Sequence, residues 1–271
     1  MRSRLYISLI ILLLVSACGE YEKLLKSTDY DLKKEKAKEY YEAGEYVKAT
    51  ELFSQILPRY RATEEAEDLN IMNSKAYIGM KDYYSAGTYF KSYLDMYPYG
   101  KHAEEATYMA ALCDYYIAPR AELDQENTKK AIEGFNVFLN QYPSSARAEE
   151  AKKMLVELSE RIVEKSYLSA KLYYEMRQYK AAVTALSNSL KTYADSKYRE
   201  DLKFMLPESK YNLAVASVFD KREERLSSAL DEYFSFVDEF PDSKHKKDAD
   251  RYYKVTARML NYKENAETNI N

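Results

Sequence analysis

Residues 83–98 read YYSAGTYFKSYLDMYP, and the fold class can be predicted from the spacing of these residues. It contains a small residue, Ala86, then aromatic residues at Phe90 and Tyr93, and it closes with Pro98. Spacings of three and four place these side chains on one face of a helix. The alanine permits close approach of a second helix, and the aromatic residue packs into that helix. The proline ends the segment because it cannot continue the helical hydrogen bonding.

The same pattern occurs five times along the chain, and an amphipathic helix precedes each copy. The small residues of the five copies are Ala49, Ala86, Ala131, Ala182 and Ala229. Six glycines and six prolines in 271 residues argue against an all-β fold, which needs many turns. The pattern resembles the tetratricopeptide repeat. We predict an all-α, tetratricopeptide-like α-solenoid of about five helix pairs, closed by a capping C-terminal helix, with a concave face for extended partners.

The N-terminus has the order of a secretory signal peptide. Arg2 and Arg4 precede an apolar run, Leu5 to Val15, and small residues then lead to Cys18. The run is too short to span a bilayer, which takes about 20 residues. Val-Ser-Ala before Cys18 resembles the lipobox of bacterial lipoproteins, which implies acyl chains on this cysteine. An ordinary signal peptide with an incidental cysteine is the alternative.

These features divide the chain into four predicted regions. Residues 1–17 are a lipoprotein signal peptide, 18–30 a lipid-anchored tether, 31–262 a tetratricopeptide-repeat superhelix and 263–271 a polar tail. The third and fifth copies have longer inter-helix segments, near 119–127 and 220–225. We interpret Lys221 to Arg225 as a solvated connector.

The sequence contains no catalytic constellation, metal-ligand cluster or cofactor motif that we recognise. His102 and His245 are interpreted as solvated surface residues. The acidic pairs Glu104-Glu105 and Glu149-Glu150 are interpreted as solvated faces, because adjacent residues on a helix point apart. Cys113 lies in an apolar helical stretch and is expected to be a buried structural thiol. A net charge of −3 does not suit a nucleic-acid binder.

A lipobox, a short tether and five helix pairs together resemble the lipoproteins of the outer-membrane β-barrel assembly machinery, the BamD (YfiO-like) family. The resemblance covers about residues 30 to 215, and the fifth repeat is longer than expected for the family. It rests on small residues after each Tyr-Pro, on the start of the fourth repeat and on the interrupted third repeat. The residues concerned are Tyr97-Pro98 with Ala103 and Ala106, Tyr142-Pro143 with Ala148 and Ala151, Glu164 to Tyr174, and Tyr108 to Ala131.

This resemblance implies an outer-membrane-anchored scaffold that faces the periplasm and is not an enzyme. Its implied partners are the barrel insertase, through the C-terminal repeats, and other lipoproteins of the complex. The N-terminal repeats are implied to receive the C-terminal strand signal of unfolded barrel proteins. Gly19 follows the lipid cysteine where an inner-membrane lipoprotein has Asp, so delivery to the outer membrane is expected by analogy.

The first helix of a tetratricopeptide pair lines the groove, which places six residues of the first two pairs on the expected peptide surface. Lysines there suit a terminal carboxylate, and tyrosine or isoleucine suits an aromatic side chain. The six are Lys34, Lys38, Tyr41, Ile71, Lys75 and Ile78. The alternative is that the lysines are merely solvated and Tyr41 packs against the tether.

Three other functions stay open at the level of sequence. A periplasmic repeat adaptor for cell-wall growth or division would share the repeats. A glycan-binding lipoprotein would also carry repeats and aromatic residues, although the 29 tyrosines here are accompanied by no tryptophan. An enzyme is the third alternative.

Overall fold

A computed structural model describes residues 19–61 and 63–268, with side chains described as far as Leu260. The described residues form helices and contain no strand. The helices are α1 (19–26), α2 (Tyr30–Glu42), α3 (Tyr46–Tyr60), α4 (Ala66–Gly79), α5 (Tyr83–Met96), α6 (Ala103–Ile117), α7 (Glu126–Gln141), α8 (Ala148–Glu175), α9 (Tyr179–Thr192), α10 (Arg199–Val215), α11 (Phe219–Glu239) and α12 (Lys246–Thr268).

Helices α2 to α11 form the five predicted pairs, and α12 packs against α10 and α11 as the cap. We call the first helix of each pair its A helix and the second its B helix. The alanine of each copy is buried, and so is the aromatic residue four positions later in the first three copies. Leu186 takes that position in the fourth copy, and Phe236 is the fully buried aromatic of the fifth. The predicted fold class is confirmed.

Three of the A helices end in the same tight turn. Gly44, Lys81 and Arg177 have φ of 76°, 59° and 57°. Each donates its backbone N–H to a carbonyl three residues back, and the next residue donates to a carbonyl five residues back. This is the Schellman arrangement, which satisfies the last carbonyls of a helix. It reverses the chain within three residues and sets each B helix against its A helix.

The apolar core is divided among neighbouring helices rather than gathered at one centre. Leu52, Phe53 and Leu69 form a cluster around the first pair, and Phe90 and Tyr93 form one around the second. Phe135 and Phe138 of α7 pack on α6 and α8, while Leu186 of α9 packs on α8 and α10. This is the core expected of a stack of repeats, in which each pair is stabilised by its neighbours.

The chain divides into two compact units. Unit 1 comprises the described residues up to Pro119 together with Gln125–Leu158, and unit 2 comprises Arg120–Asp124 together with Ser159 onward. Helix α8 contributes its residues up to Leu158 to unit 1 and the remainder to unit 2.

Residues 19–26, expected to belong to a tether, form a helix that packs on the first pair. Leu24 and Leu25 contact the core cluster of that pair. The buried Lys33 of α2 donates to the carbonyl of Leu25 at 3.0 Å and to Gln55 of α3 at 2.6 Å. The two leucines pack against apolar residues of α2 and α3. The spacing of residues in the sequence did not predict this contact.

The C-terminal region is also more helical than predicted. Residues 221–225 have solvent-accessible side chains, as predicted, but they are not a connector, because they lie inside α11. Arg222 donates to the carbonyl of Ser217, which ties the start of this helix to the preceding turn. Helix α12 continues to Thr268, beyond residue 262, where the superhelix was expected to end. The longer segment predicted between the helices of the third pair is confirmed, since residues 118–125 separate α6 from α7.

Candidate functional site

Lys34 on α2 is already paired with carboxylates. Its Nζ lies 2.8 Å from Glu65 Oε2 and 3.7 Å from Asp31 Oδ1, and its side chain is only 13% exposed. The hydrogen bond with Glu65 raises the pKa of Lys34 and lowers that of Glu65. The ammonium of Lys34 therefore holds neighbouring helices together before any ligand arrives.

Lys38 and Tyr41 lie further along the same helix. No ion pair or hydrogen bond joins the Lys38 ammonium to another side chain in the part of the chain that the structure describes. Tyr41 is half-buried, with its ring edge-on to Tyr46 at 5.8 Å. Burial, with smaller effects from Tyr46 and Glu105, raises the pKa of Tyr41. This pair of residues offers one cation and one phenol that stays protonated at neutral pH.

The residues expected on α4 have three different environments. Lys75 Nζ lies 2.8 Å from Glu105 Oε2 on α6, and Glu105 Oε1 is also 3.8 Å from Arg147. Ile71 is buried in the core of the second pair, with 3% exposure. Ile78 is half-buried and packs against the same core. Of the six expected peptide contacts, Lys38, Tyr41 and Ile78 have accessible surface without an ion pair.

Acidic side chains at the start of one A helix bind the loop before the next A helix. Asp68 of α4 accepts from Lys101 Nζ at 2.8 Å, and its Oδ1 lies 2.7 Å from His102 Nε2. Glu67 accepts from the Tyr93 hydroxyl at 2.7 Å and from the Lys101 backbone N–H at 2.9 Å. We call this set of contacts a repeat junction.

The same junction recurs in unit 2 between the fifth pair and the cap. Asp201 Oδ1 of α10 lies 3.1 Å from His245 Nε2, and Glu200 accepts from the Ser243 hydroxyl at 2.6 Å. The imidazole of His245 also stacks on Phe204, with 4.4 Å between ring centroids. Both histidines thus occupy equivalent positions and contact the acid of the preceding repeat, so the interpretation that they are solvated surface residues is wrong.

The acidic pairs are likewise not simply solvated. Glu104 accepts from the Ser145 hydroxyl at 2.6 Å, and Glu105 binds Lys75 and Arg147. Glu150 accepts a hydrogen bond that helps to raise the pKa of Tyr108, although burial of that phenol is the larger cause. Sequence reasoning missed these roles because each partner belongs to another repeat. The available signal was the recurrence of an acidic pair at the start of successive A helices.

Neither a metal site nor a reactive thiol is present in the described residues. No group of three or more His, Cys, Asp or Glu residues could hold a metal ion within these residues. Cys113 is buried as expected, and burial raises the pKa of its thiol to about 12, so the thiolate is not formed at neutral pH.

Unit 2 carries an open, mainly apolar pocket of about 690 Å³ at the end of its first helix pair. It lies beside the turn between α8 and α9 and includes Tyr173, Tyr179, Lys180 and Asn188. Leu172 and Met176 are exposed near the same turn. Exposed apolar surface of this kind is typical of interaction sites.

The proposed lipid site, Cys18, lies outside the described residues. Among the residues that are described, no helix combines the length and the apolar character needed to cross a membrane.

Paired helices joined by Schellman turns and repeat junctions define a helical-repeat protein of the tetratricopeptide type. The family model YfiO, described as "Outer membrane lipoprotein", matches residues 34–225. The chain therefore belongs to this family of outer-membrane lipoproteins, which confirms the resemblance drawn from the sequence.

Solved structures add little to this assignment. A tetratricopeptide repeat protein from Parabacteroides merdae ATCC 43184 is 15% identical, with 89% of this chain and 80% of that chain covered and a TM-score of 0.35. Two structures of TPR-like repeats from a Podosopora anserina putative kinesin light chain are each 13% identical, with TM-scores of 0.33. They cover 74% and 79% of this chain and 93% and 97% of their own. No curated protein matches significantly. At these TM-scores the three structures carry no argument about this chain.

Proposed function

We propose that this protein is an outer-membrane-anchored periplasmic scaffold of the β-barrel assembly complex. It binds the periplasmic domains of the insertase, together with other lipoproteins of the complex, and it receives strand signals of unfolded barrel proteins. The observation that carries this proposal is membership of the outer-membrane lipoprotein family over residues 34–225. Acyl chains on Cys18 hold it at the membrane, since two or more chains give stable anchoring.

The strand signal binds the A-helix face of the first two pairs. The contacts of the six expected residues suggest a separate role for each accessible one. Lys38 supplies the cation for a terminal carboxylate, because Lys34 and Lys75 already bind Glu65 and Glu105. Tyr41 donates from its phenol and offers its ring. Ile78 contributes an apolar side wall, whereas the buried Ile71 supports α4 from beneath.

The insertase binds unit 2, where the pocket beside the α8–α9 turn accepts an apolar protein segment. The protein works by holding partners together and makes or breaks no bond itself. Its one described cysteine is buried, and its histidines join neighbouring repeats.

A detergent pull-down of the tagged lipoprotein from its own membranes tests this function. We expect a large barrel protein with repeated periplasmic domains to co-purify. Depletion of the protein from cells should lower many outer-membrane barrels together. Co-purification of cell-wall or division enzymes, with barrel levels unchanged, contradicts the proposal in favour of an adaptor. A glycan-growth defect alone contradicts it in favour of a glycan-binding lipoprotein.

A further inference from the structure

Helix α1 places the residue that follows Cys18 at one end of the first helix pair. The Tyr21 hydroxyl donates to Glu51 at 2.7 Å, and its ring lies edge-on to Tyr40 at 5.6 Å. The same hydroxyl lies 3.2 Å from the backbone carbonyl of Lys48, in the first turn of α3, directly after the turn between α2 and α3. Gly19 therefore lies beside that turn and not beside the loop at the opposite end of the pair.

In this position, no flexible linker separates the proposed lipid anchor, Cys18, from the folded protein. Gly19 is already helical, and it follows Cys18 directly. Consecutive Cα atoms are about 3.8 Å apart, so residue 18 is one such step from a docked helix. Acyl chains on Cys18 consequently bring this end of the first pair to the membrane surface.

The turns of the first two pairs and the C-terminal end of α6 lie side by side at that end, and we call them the A–B edge of unit 1. A Cβ built on Gly79, at the end of α4, would overlap the ring of Tyr46, so the first two turns are in contact. Tyr83 of α5 stacks on Tyr116 of α6 with 4.6 Å between ring centroids, which joins the second turn to the third pair.

Large apolar and aromatic side chains are exposed along this edge. Val47 is 68% exposed, Tyr84 75% and Tyr116 51%. Tyrosine has an apolar ring and a polar tip, and it is enriched where hydrocarbon meets water at a membrane. Each of the first three helix pairs thus contributes one large exposed side chain to this edge.

The charges near the turns are compatible with lipid headgroups. Lys81 is exposed at the tip of the second turn, where it attracts anionic lipid. Glu45 is paired with Lys48, and Asp82 accepts from the backbone N–H of Ser85 at 3.1 Å. The two carboxylates within the turns are thus engaged by the protein itself.

We propose that the A–B edge of unit 1 rests on the membrane to which Cys18 is attached, with Val47, Tyr84 and Tyr116 in the interfacial layer. This inference rests on the proposed acylation of Cys18. The bilayer is the occupant of this surface because the chain leaves the described residues at this edge with no linker. The helix axes of unit 1 then run away from the membrane, and the loops at the opposite edge face the periplasm.

Depth-dependent fluorescence quenching tests this orientation in the full, acylated protein. Val47→Cys, Tyr84→Cys and Tyr99→Cys are each labelled with an environment-sensitive dye and reconstituted into vesicles of phosphatidylethanolamine and phosphatidylglycerol with brominated acyl chains. Tyr99 is the matched control, since it is also a tyrosine, is 98% exposed and lies in the loop at the opposite edge. The unsubstituted protein gives the background, because Cys113 is buried.

We expect bromines near the headgroup to quench the dye at positions 47 and 84 and to leave it unchanged at position 99. Equal quenching at all three sites, or none at 47 and 84, overturns the inference. The inference is also overturned if the dyes at positions 47 and 84 become shielded from water only when a protein partner is added, since the edge is then a protein interface. Mass spectrometry of the N-terminal peptide separates the two proposals. Absent acyl chains overturn the anchor and this inference together, whereas acylation with unquenched dyes overturns this inference alone.

Discussion

Lys38 differs from the other lysines of the proposed peptide surface in what its ammonium contacts. Lys34 and Lys75 each bind a carboxylate at 2.8 Å, whereas Lys38 is without such a partner among the described residues. We expect Lys38→Glu to weaken binding of a peptide that carries the final strand of a barrel protein. A partly exposed ion pair contributes up to about 1 kcal/mol, so the dissociation constant should rise about fivefold. Fluorescence anisotropy with a labelled peptide measures this change.

Lys36→Glu is the control for that substitution. Lys36 is on the same helix, but its ammonium binds Glu39 at 2.6 Å and its side chain is 42% exposed. Two residues of separation turn it to a different side of α2 from Lys38. Equal weakening by both variants would mean that general charge, rather than this face, attracts the peptide. No effect of Lys38→Glu removes the residue from the site.

Asp68 couples the stability of a repeat junction to pH. Hydrogen bonds from His102 and then Lys101 lower its pKa below the ordinary aspartate value. A carboxyl group with a lowered folded-state pKa stabilises the fold above the unfolded-state pKa of about 3.9. That stabilisation is lost as the pH falls through the lower, folded-state value. The contribution of this junction should therefore be present at neutral pH and disappear in acid.

Urea unfolding of Asp68→Asn beside the unsubstituted protein measures this contribution. We expect the variant to be less stable at about pH 7 and the difference to narrow at about pH 3. Asp95→Asn, an exposed position on α5, should leave stability unchanged at both pH values. A difference that stays constant with pH would show that Asp68 acts through packing and not through its charge.

At the scale of helices, Gly134 of α7 lies directly against Ala111 of α6. A Cβ at this position would lie 2.9 Å from the Cβ of Ala111 and 3.2 Å from its Cα. The backbone of α6 cannot rotate away as a side chain can, so Gly134→Ala forces the helices apart. Overpacking costs about 1–3 kcal/mol, and the helix propensity of alanine returns about 1 kcal/mol. We expect a net loss of about 1 kcal/mol in the free energy of unfolding, measured by urea titration.

Asn136→Ala provides the comparison on the same helix. Asn136 is exposed, so alanine there gains helix propensity without crowding and should be neutral or slightly stabilising. A stabilised Gly134→Ala variant would contradict the close contact between α6 and α7.

The helix pairs were predictable because their signal is local. Ala86 and Phe90 are four residues apart, and Pro98 follows in the same segment. The residues that predict a helix pair therefore all lie within one repeat. The docking of α1 was not predictable, because Tyr21 finds Glu51 thirty positions away and neither residue has a distinctive local pattern. The helical start of α11 was missed because a run of charges was interpreted as solvated loop.

The candidate peptide surface could be predicted from the sequence only in part, for a related reason. Helical spacing places a residue on a side of its helix but does not say how deep it lies. Ile71 and Ile78 are both on α4, yet one is fully inside the core of the second pair and the other is half-buried. The ion pairs of Lys34 and Lys75 depend on how neighbouring pairs stack, which the spacing within one repeat does not contain.

At the scale of the whole molecule, the core consists of separate clusters, so a substitution in one cluster should destabilise mainly the helices around it. Phe53 belongs to the cluster around the first pair, whereas Phe236 of α11 lies 6.1 Å from Phe204 of α10, between ring centroids. Both phenylalanines are fully buried, so each substitution by alanine should cost about 3–5 kcal/mol locally. In a repeat array, each repeat depends mainly on its neighbours, and distant repeats respond weakly.

Hydrogen exchange followed by mass spectrometry resolves this dependence along the chain. We expect Phe236→Ala to speed amide exchange in α10, α11 and α12 and to leave α2 and α3 near their original rates. Phe53→Ala should give the reverse pattern, and each variant thereby serves as the control for the other. Regional responses follow because an opening that breaks one core cluster leaves the next intact. Uniform acceleration over all helices in both variants would instead mean that the chain unfolds as one cooperative body, and that repeat junctions such as Asp68 to His102 transmit the loss from pair to pair.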